Sequence, residues 1–231
     1  MFFDPLYLVF AAPALVLALI AQFLTKRTFA KYAEIPSSRG LTGAQAAQMM
    51  LERNGVTGVG IEPVNGMLTD HYDPTTRTLR LSEAVYASRS LSAMGVACHE
   101  AGHALQHAEN YGPLTLRSKL VPVTNIGSSL SYFVLMAGFL MQSSQLILVG
   151  IVLFSLAVIF ALITLPVEWD ASARAKVAMV NAGIVSGDEA VSAGKVLNAA
   201  FLTYLAAAVS ALMTLLYYIL RYTMRGSRRE E

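Results

Sequence analysis

Two histidines four residues apart flank a glutamate in the segment His99-Glu100-Ala101-Gly102-His103. On a helix, residues at this spacing share one face and lie about 6 Å apart along the axis, so both imidazoles can reach one metal ion. Glu100 would contact a water on that ion without binding the ion itself, and such a water is a usable nucleophile near neutral pH. The pattern predicts zinc-dependent hydrolysis, although three fixed positions also arise by chance in an amphipathic helix.

A catalytic zinc site of this type needs a third protein ligand and one position left open for water. Metzincins take a histidine ten residues after the first motif histidine, but this chain has Glu109 there. A thermolysin-like arrangement takes a glutamate from a later helix, and Glu168 directly follows a long apolar stretch. An acidic side chain at that place is costly unless it is functional or solvated. We therefore predict one zinc ion, bound by His99, His103 and Glu168.

Four more side chains could support the ligands or touch a substrate: His71, Tyr72, His107 and Asp170. His107 lies about 12 Å from His99 in helical rise, too far for easy binding to the same ion. His71 and Tyr72 precede a predicted turn, where a strand could pair with an extended substrate and a polar side chain could stabilise an oxyanion. Turn formation, packing and a solvated polar helix face are the alternative interpretations.

The charge content decides the class of protein. The chain has 231 residues, of which 55% are hydrophobic and only 14% charged, whereas soluble domains carry about 25% charged residues. This deficit predicts an integral membrane protein. The high hydrophobic content, the low glycine count and the single cysteine exclude disordered, collagen-like and disulfide-stapled classes. The net charge of +2, without a basic run interleaved with aromatics, gives no case for nucleic-acid binding. A phosphate-binding loop of the GxxxxGK type is also missing from the sequence, so no nucleotide is expected.

Charge-free runs predict four transmembrane helices, because about 20 residues at about 1.5 Å each cross a bilayer core of about 30 Å. The run at 120–167 is long enough for two of them, with a hairpin at Met141–Gln145. The predicted division is an N-terminal tail with transmembrane helix 1 (1–25), a catalytic region with the HExxH helix (26–119), transmembrane helices 2 and 3 (120–167), a segment with the third ligand (168–195), transmembrane helix 4 (196–220) and a basic tail (221–231).

The distribution of Lys and Arg predicts which side of the membrane holds the loops. Basic residues flank 26–119 and occur in 168–195, whereas the N-terminal tail has none, so both loops are expected in the cytoplasm. The arginines of the basic tail oppose this assignment: Arg221, Arg225, Arg228 and Arg229.

The water-exposed part is predicted to be a small α+β region of zincin-like type in a mainly α, integral membrane protein. Thr42 is a plausible N-cap for a helix over 43–54 that is closed by Gly55. Short strands are expected at 59–64, 66–72 and 78–81, with a turn at 73–76, and the HExxH motif lies in a helix over 88–109.

Several segments resemble the YugP-type family of bacterial membrane zinc metallopeptidases, and the resemblance covers nearly the whole chain. The segments are His99–His107, Leu116–Ser118, Val121–Val123, Asn125–Ser128, Leu165–Glu168, Lys195–Ala200 and His71–Pro74. The resemblance implies a multi-pass, zinc-dependent, cytoplasm-facing protease related to the gluzincins. By this resemblance, the family's two histidine ligands correspond to His99 and His103. Its general base corresponds to Glu100, and its downstream glutamate corresponds to Glu168. The chain departs from the wider gluzincin pattern at Ser172, where an aspartate often orients a histidine ligand, which leaves Asp170 as a candidate for that role.

We therefore expect a zinc metalloendopeptidase of the cell membrane that cleaves membrane-associated or unfolded proteins. One alternative is a site-2-type intramembrane protease, in which the motif helix would have to span lipid. The charged residues within that helix argue against this alternative. The other is a non-catalytic membrane scaffold or regulator with structural zinc or none. The expected partners are a protein or peptide substrate and the lipid bilayer, and a homo-oligomer or a membrane-protein partner stays open.

Overall fold

The computed structural model describes the backbone of residues 4–227 and the side chains of residues 4–225. Within this part the chain forms seven helices and three short strands, which confirms a mainly α fold. The helices are α1 (Pro5–Ala33), α2 (Gly43–Arg53), α3 (Glu83–Tyr86), α4 (Leu91–Ala108), α5 (Gly112–Leu140), α6 (Ser144–Asn181) and α7 (Gly187–Ser227). The strands are β1 (Gly60–Val64), β2 (His71–Asp73) and β3 (Thr78–Ser82).

Four helices in the described part of the chain are long and apolar enough to cross a membrane, namely α1, α5, α6 and α7. Together with the turn between α5 and α6, they cover the three charge-free runs that predicted the four spans. The predicted hairpin is confirmed, because the chain turns between α5 and α6, where Gln142 has a φ of 56°. All four helices extend beyond their charge-free runs, since backbone hydrogen bonds within a helix do not depend on lipid. The functional division of the chain stays a prediction.

The chain forms two compact units, and the first comprises Met1–Ile20, Leu116–Leu165 and Thr203–Glu231. Its buried cluster includes Leu135, Ile147 and Tyr217. Gly138 lets α5 and α6 approach closely, since a Cβ there would lie 2.8 Å from the backbone nitrogen of Ile147.

The ends of the described chain meet in this first unit. The Tyr217 hydroxyl donates a hydrogen bond of 3.0 Å to Asp4, and the Arg221 Nε lies 3.1 Å from the same carboxylate oxygen. One arginine of the predicted basic tail therefore has an acidic partner. Arg228 and Arg229 lie outside the described residues.

The second unit comprises Ala21–Thr115 and Pro166–Leu202. Helix α2 begins with a capping box, in which Thr42 Oγ1 accepts from the Gln45 N–H and Gln45 Oε1 accepts from the Thr42 N–H. It ends at Arg53, with Asn54 as the C-cap, and Gly55 follows with a φ of +71°. This confirms the predicted N-cap and helix, whose apolar face packs against α4.

The three strands form a sheet in the order β1-β3-β2, with β1 parallel and β2 antiparallel to the buried central strand β3. The strand predicted over 66–72 is wrong for most of its length, since only His71–Asp73 pairs with β3. Gly66 (φ +111°) and Leu68 (φ 59°) adopt positive φ values, which an extended strand cannot contain. The other two strands and the motif helix are confirmed to within a few residues, and β2 lies at an edge of the sheet.

Candidate metal centre

Helix α4 presents both motif histidines on one face. Its first turn is capped by Ser90, whose Oγ accepts from the Ala93 N–H at 3.2 Å. The His99 and His103 ring centroids lie 4.8 Å apart. The helix thus holds two imidazoles side by side, as the four-residue spacing predicts.

Gly102, between these histidines, allows α6 to approach α4. A Cβ at this position would lie 2.7 Å from the backbone oxygen of Ala171 on α6, closer than real Cβ contacts allow. The glycine in the motif therefore has a packing role, because any larger residue would push away the helix that carries Glu168.

Glu168 completes a cluster with the two histidines. Its Oε2 lies 3.1 Å from His99 Nε2 and 3.5 Å from His103 Nε2. The residue is only 2% exposed, and one ligand atom from each of the three residues lies within 4.8 Å of the others. The sequence predicts these three residues as metal ligands, and the fold brings them together.

The spacing of these atoms fits a zinc ion. Zinc–ligand bonds of about 2.0–2.2 Å at tetrahedral angles place neighbouring ligand atoms about 3.3–3.5 Å apart. The two distances from Glu168, 3.1 and 3.5 Å, are close to this separation. Two nitrogen donors and one oxygen donor are also a ligand set typical of catalytic zinc.

The opposite ring nitrogens of both histidines are occupied by protein partners. His99 Nδ1 lies 3.1 Å from Ser172 Oγ, and His103 Nδ1 lies 3.0 Å from Gln106 Oε1. The Gln106 amide NH₂ donates to the Val167 carbonyl oxygen at 2.9 Å and to Asp170 Oδ2 at 2.8 Å. Since both donors of this amide are used, its oxygen faces His103.

This hydrogen-bond chain selects one protonation form of His103. An oxygen acceptor at Nδ1 requires a proton on that nitrogen, so a neutral imidazole keeps its lone pair on Nε2. That lone pair faces Glu168 and is free to bind a metal. Asp170 therefore acts on His103 through Gln106. It is anchored by Arg174, whose Nε donates to it and whose Nη1 also donates to Glu109 at 2.6 Å.

Electrostatics at the cluster favour a cation. Burial lowers the pKa of the His103 imidazole, but the Glu168 and Glu100 carboxylates outweigh it, so the pKa lies above its ordinary value. The same field that favours a proton favours a divalent cation in its place, and the two compete for one nitrogen.

Glu100 lies on the same helix and is 8% exposed. Among the described residues no group donates a hydrogen bond to its carboxylate, so both oxygens are available to water or substrate. This is the condition that a general base next to a metal site must meet.

The other predicted site residues lie outside the cluster. The Tyr72 hydroxyl and His107 Nδ1 form a hydrogen bond of 2.8 Å, which joins the edge strand β2 to the end of α4. His71 is exposed, and its Nδ1 lies 2.8 Å from the Thr69 carbonyl oxygen, as expected for a residue with a turn role. Asp170 contacts the amide of Gln106, which in turn contacts His103.

Sequence reasoning missed Gln106 and underrated Ser172. Gln106 follows His103 by three residues, so it lies on the same helix face, and it is a fully buried amide in an apolar helix. That combination was the available signal, because a buried amide needs hydrogen-bond partners. Ser172 was noted only as a departure from an aspartate, yet its hydroxyl contacts His99.

Comparison with known proteins agrees with this geometry. A family model described as "Putative neutral zinc metallopeptidase" matches residues 7–223. A relative from Bacillus subtilis (strain 168), described as "Putative membrane protease YugP", is 50% identical over 215 residues, which is 93% of this chain and 96% of the relative. No solved structure matches the chain.

Proposed function

Since the chain belongs to the neutral zinc metallopeptidase family, we propose that it is a membrane-embedded zinc endopeptidase acting on membrane-associated or unfolded proteins. The observation that carries this proposal is the convergence of His99, His103 and Glu168, with one ligand atom from each within 4.8 Å of the others. Glu100 is the proposed general base, supported by its buried and unengaged carboxylate.

One zinc ion held by these three residues would polarise the substrate carbonyl and lower the pKa of a water toward neutrality. Glu100 accepts a proton from the attacking water while the water oxygen bonds to the carbonyl carbon. Glu100 then returns the proton to the amine nitrogen as the C–N bond breaks. The products are a carboxylic acid and an amine, and Glu100 is regenerated.

We further propose that the catalytic region is zincin-like and that Tyr72 and His107 contact the substrate. In support, α4 packs against β2 and β3, and β2 pairs on one side only within the described chain. Its other edge can pair with an extended peptide. The Tyr72–His107 hydrogen bond sets a polar pair between that edge and the helix that carries His103.

The proposed substrates must be extended, which is why unfolded and membrane-associated chains are favoured. Glu168 directly follows the charge-free stretch at 120–167, so a ligand is adjacent in sequence to a predicted span. The test is turnover of a reduced, unfolded soluble protein and of a folded control by the purified full chain in detergent. We expect cleavage of the unfolded chain only. No cleavage of either by zinc-loaded protein would favour the scaffold alternative.

The site-2-type alternative has less support. Helix α4 is not among the helices of the described chain that are long and apolar enough to span a membrane. It carries His99, Glu100 and His103 in a region rich in polar contacts. A motif helix outside the bilayer fits a protease that works at the membrane surface.

The proposed cytoplasmic orientation can be tested by labelling. Ala84 is exposed on α3, whereas Cys98 is fully buried and burial raises the pKa of its thiol. We expect Ala84→Cys to react with a membrane-impermeant maleimide only after cells are permeabilised, with the unmodified chain as a silent background. Equal labelling in intact cells would put this loop outside and overturn the assignment.

Gln106→Leu is expected to weaken zinc binding by about 10–100-fold, the usual cost of losing a partner of a ligating histidine. The change removes the acceptor for His103 Nδ1 and leaves Asp170 without its amide donor. Competition with a chelator measures the affinity. Gln48→Leu, at an exposed amide on α2, is the matched control and should bind zinc as the unmodified chain does. Equal affinity for both variants would refute the role of Gln106.

A further inference from the structure

A cavity of about 350 Å³ lies in the second unit, against the C-terminal half of α4, the helix that also carries His103. Its walls include Tyr72 from β2, Arg77 from the β2–β3 turn, and Ala104 and His107 from α4. Ala104 follows His103 directly, and His107 is one turn further, about 6 Å along the axis. An extended substrate advances about 3.3 Å per residue, so side chains near the scissile bond can reach this cavity.

The charge of this cavity comes from one residue. Arg77 is the only cation among the residues that line it, and none of those residues is acidic. The Arg77 side chain is exposed, and no carboxylate pairs with it in the part of the chain that the structure describes. By contrast, Arg80 pairs with Asp73 at 3.0 Å and Arg174 pairs with Glu109 at 2.6 Å.

The acid of the same turn, Asp73, is already engaged. Asp73 accepts hydrogen bonds from Arg80, from the Thr76 hydroxyl at 2.8 Å and from the Thr75 N–H at 2.9 Å. These bonds, that from Arg80 first, hold the pKa of this carboxyl well below its usual range. The turn thus uses its own carboxylate to fold, and among the described residues it leaves the Arg77 guanidinium without a carboxylate partner.

The backbone of this turn holds Arg77 in an uncommon conformation. Its φ is 50°, in the left-handed region that few residues other than glycine and asparagine adopt. An arginine at such a position costs conformational energy, as Leu68 and Gln142 do at other turns of the chain. Arg77 also acts electrostatically on Tyr72, another residue of the cavity wall. Burial raises the pKa of the Tyr72 hydroxyl, and the positive charge of Arg77 opposes that rise.

We propose that this cavity is a substrate pocket in which Arg77 binds a carboxylate, either an Asp or Glu side chain or the C-terminal carboxylate of the substrate. The inference rests on the proposed peptidase function and gives it a substrate preference. The Nδ1 of His107 bonds to the Tyr72 hydroxyl, and in the part of the chain that the structure describes no group bonds to its Nε2, which can face the same carboxylate.

The test uses the full zinc-loaded chain in detergent and end-blocked fluorogenic peptides with Glu, Gln or Lys at one position, moved stepwise along both sides of the scissile bond. A second set is neutral, with a free or an amidated C-terminus, and separates the two carboxylate sources. We expect one position at which a carboxylate raises kcat/KM about tenfold over its neutral match, mainly through KM, and less at high salt.

Three variants decide the assignment to Arg77. Arg77→Asn, which suits the left-handed backbone, should lose the preference for the carboxylate, and Arg77→Glu should shift it to Lys. Arg89→Glu, at an exposed arginine away from the cavity, should keep the preference of the unmodified chain. Cleavage with no carboxylate preference at any position, or a preference that survives Arg77→Glu, overturns this inference and leaves the peptidase proposal standing. No cleavage of any peptide overturns both.

Discussion

Glu168→Ala is expected to lose both bound zinc and peptidase activity. The carboxylate is the one oxygen ligand proposed, and its Oε2 lies 3.1 and 3.5 Å from the two imidazole nitrogens. Two histidines alone leave the ion short of the three protein ligands that catalytic zinc sites use. The loss of affinity should exceed the about 10–100-fold that removal of a supporting partner causes. Zinc content per chain and turnover of an unfolded protein, measured on the same sample, check this result.

Two controls separate loss of the ligand from loss of the fold. Glu168→Gln keeps the size of the buried side chain and should also lose zinc, since a neutral amide is a poor replacement for the carboxylate. Glu62→Ala removes an exposed carboxylate from β1 and should keep both zinc and activity. Full zinc content and full activity in Glu168→Ala would remove Glu168 from the ligand set.

Glu100→Gln is expected to lower kcat by about 10²–10⁴-fold, the usual contribution of a general base, while zinc stays bound. The amide has nearly the shape of the carboxylate but cannot accept the proton. Because Glu100 is not among the proposed ligands, KM and zinc content should change little. Steady-state hydrolysis of one fluorogenic peptide, with metal analysis of the same protein, separates these quantities.

The matched control is Glu83→Gln, an exposed carboxylate in the first turn of α3, which should leave kcat unchanged. If Glu100→Gln hydrolysed peptide at the normal rate with zinc bound, the proton transfer would have to be assigned to another group. If it lost zinc as well, Glu100 would belong to the ligand set instead.

Much of the fold follows from where charge is missing. A charged side chain inside a bilayer is costly, so the runs at 6–24, 120–167 and 196–220 could be recognised from composition. The helix ends could not, because a helix continues into water with the same backbone hydrogen bonds. The strand predicted over 66–72 was wrong at Gly66–Leu68 because residue types alone do not determine the backbone path. They favour a strand there, but two positive φ values redirect the backbone.

From the sequence, the three residues that form the cluster could be named, and Asp170 beside them, but not the contacts that connect them. The spacing of His99 and His103, and Glu168 at the end of a charge-free run, needed only helix geometry and the cost of a charge near lipid. The contacts of His99 with Ser172 and of Gln106 with Asp170 depend on how closely α6 approaches α4, which Gly102 permits. The Tyr72–His107 bond joins residues 35 positions apart, and no local pattern encodes such a contact.

The central claim is that one zinc ion, held by His99, His103 and Glu168, makes this chain a peptidase. It is tested most directly by removing metal from the purified full chain with a chelator and titrating zinc back while peptide hydrolysis is measured. We predict that activity is lost on removal, rises in proportion to added zinc and reaches its maximum at one ion per chain. Hydrolysis that persists in the metal-free protein, or that does not appear at any zinc loading, would contradict the account.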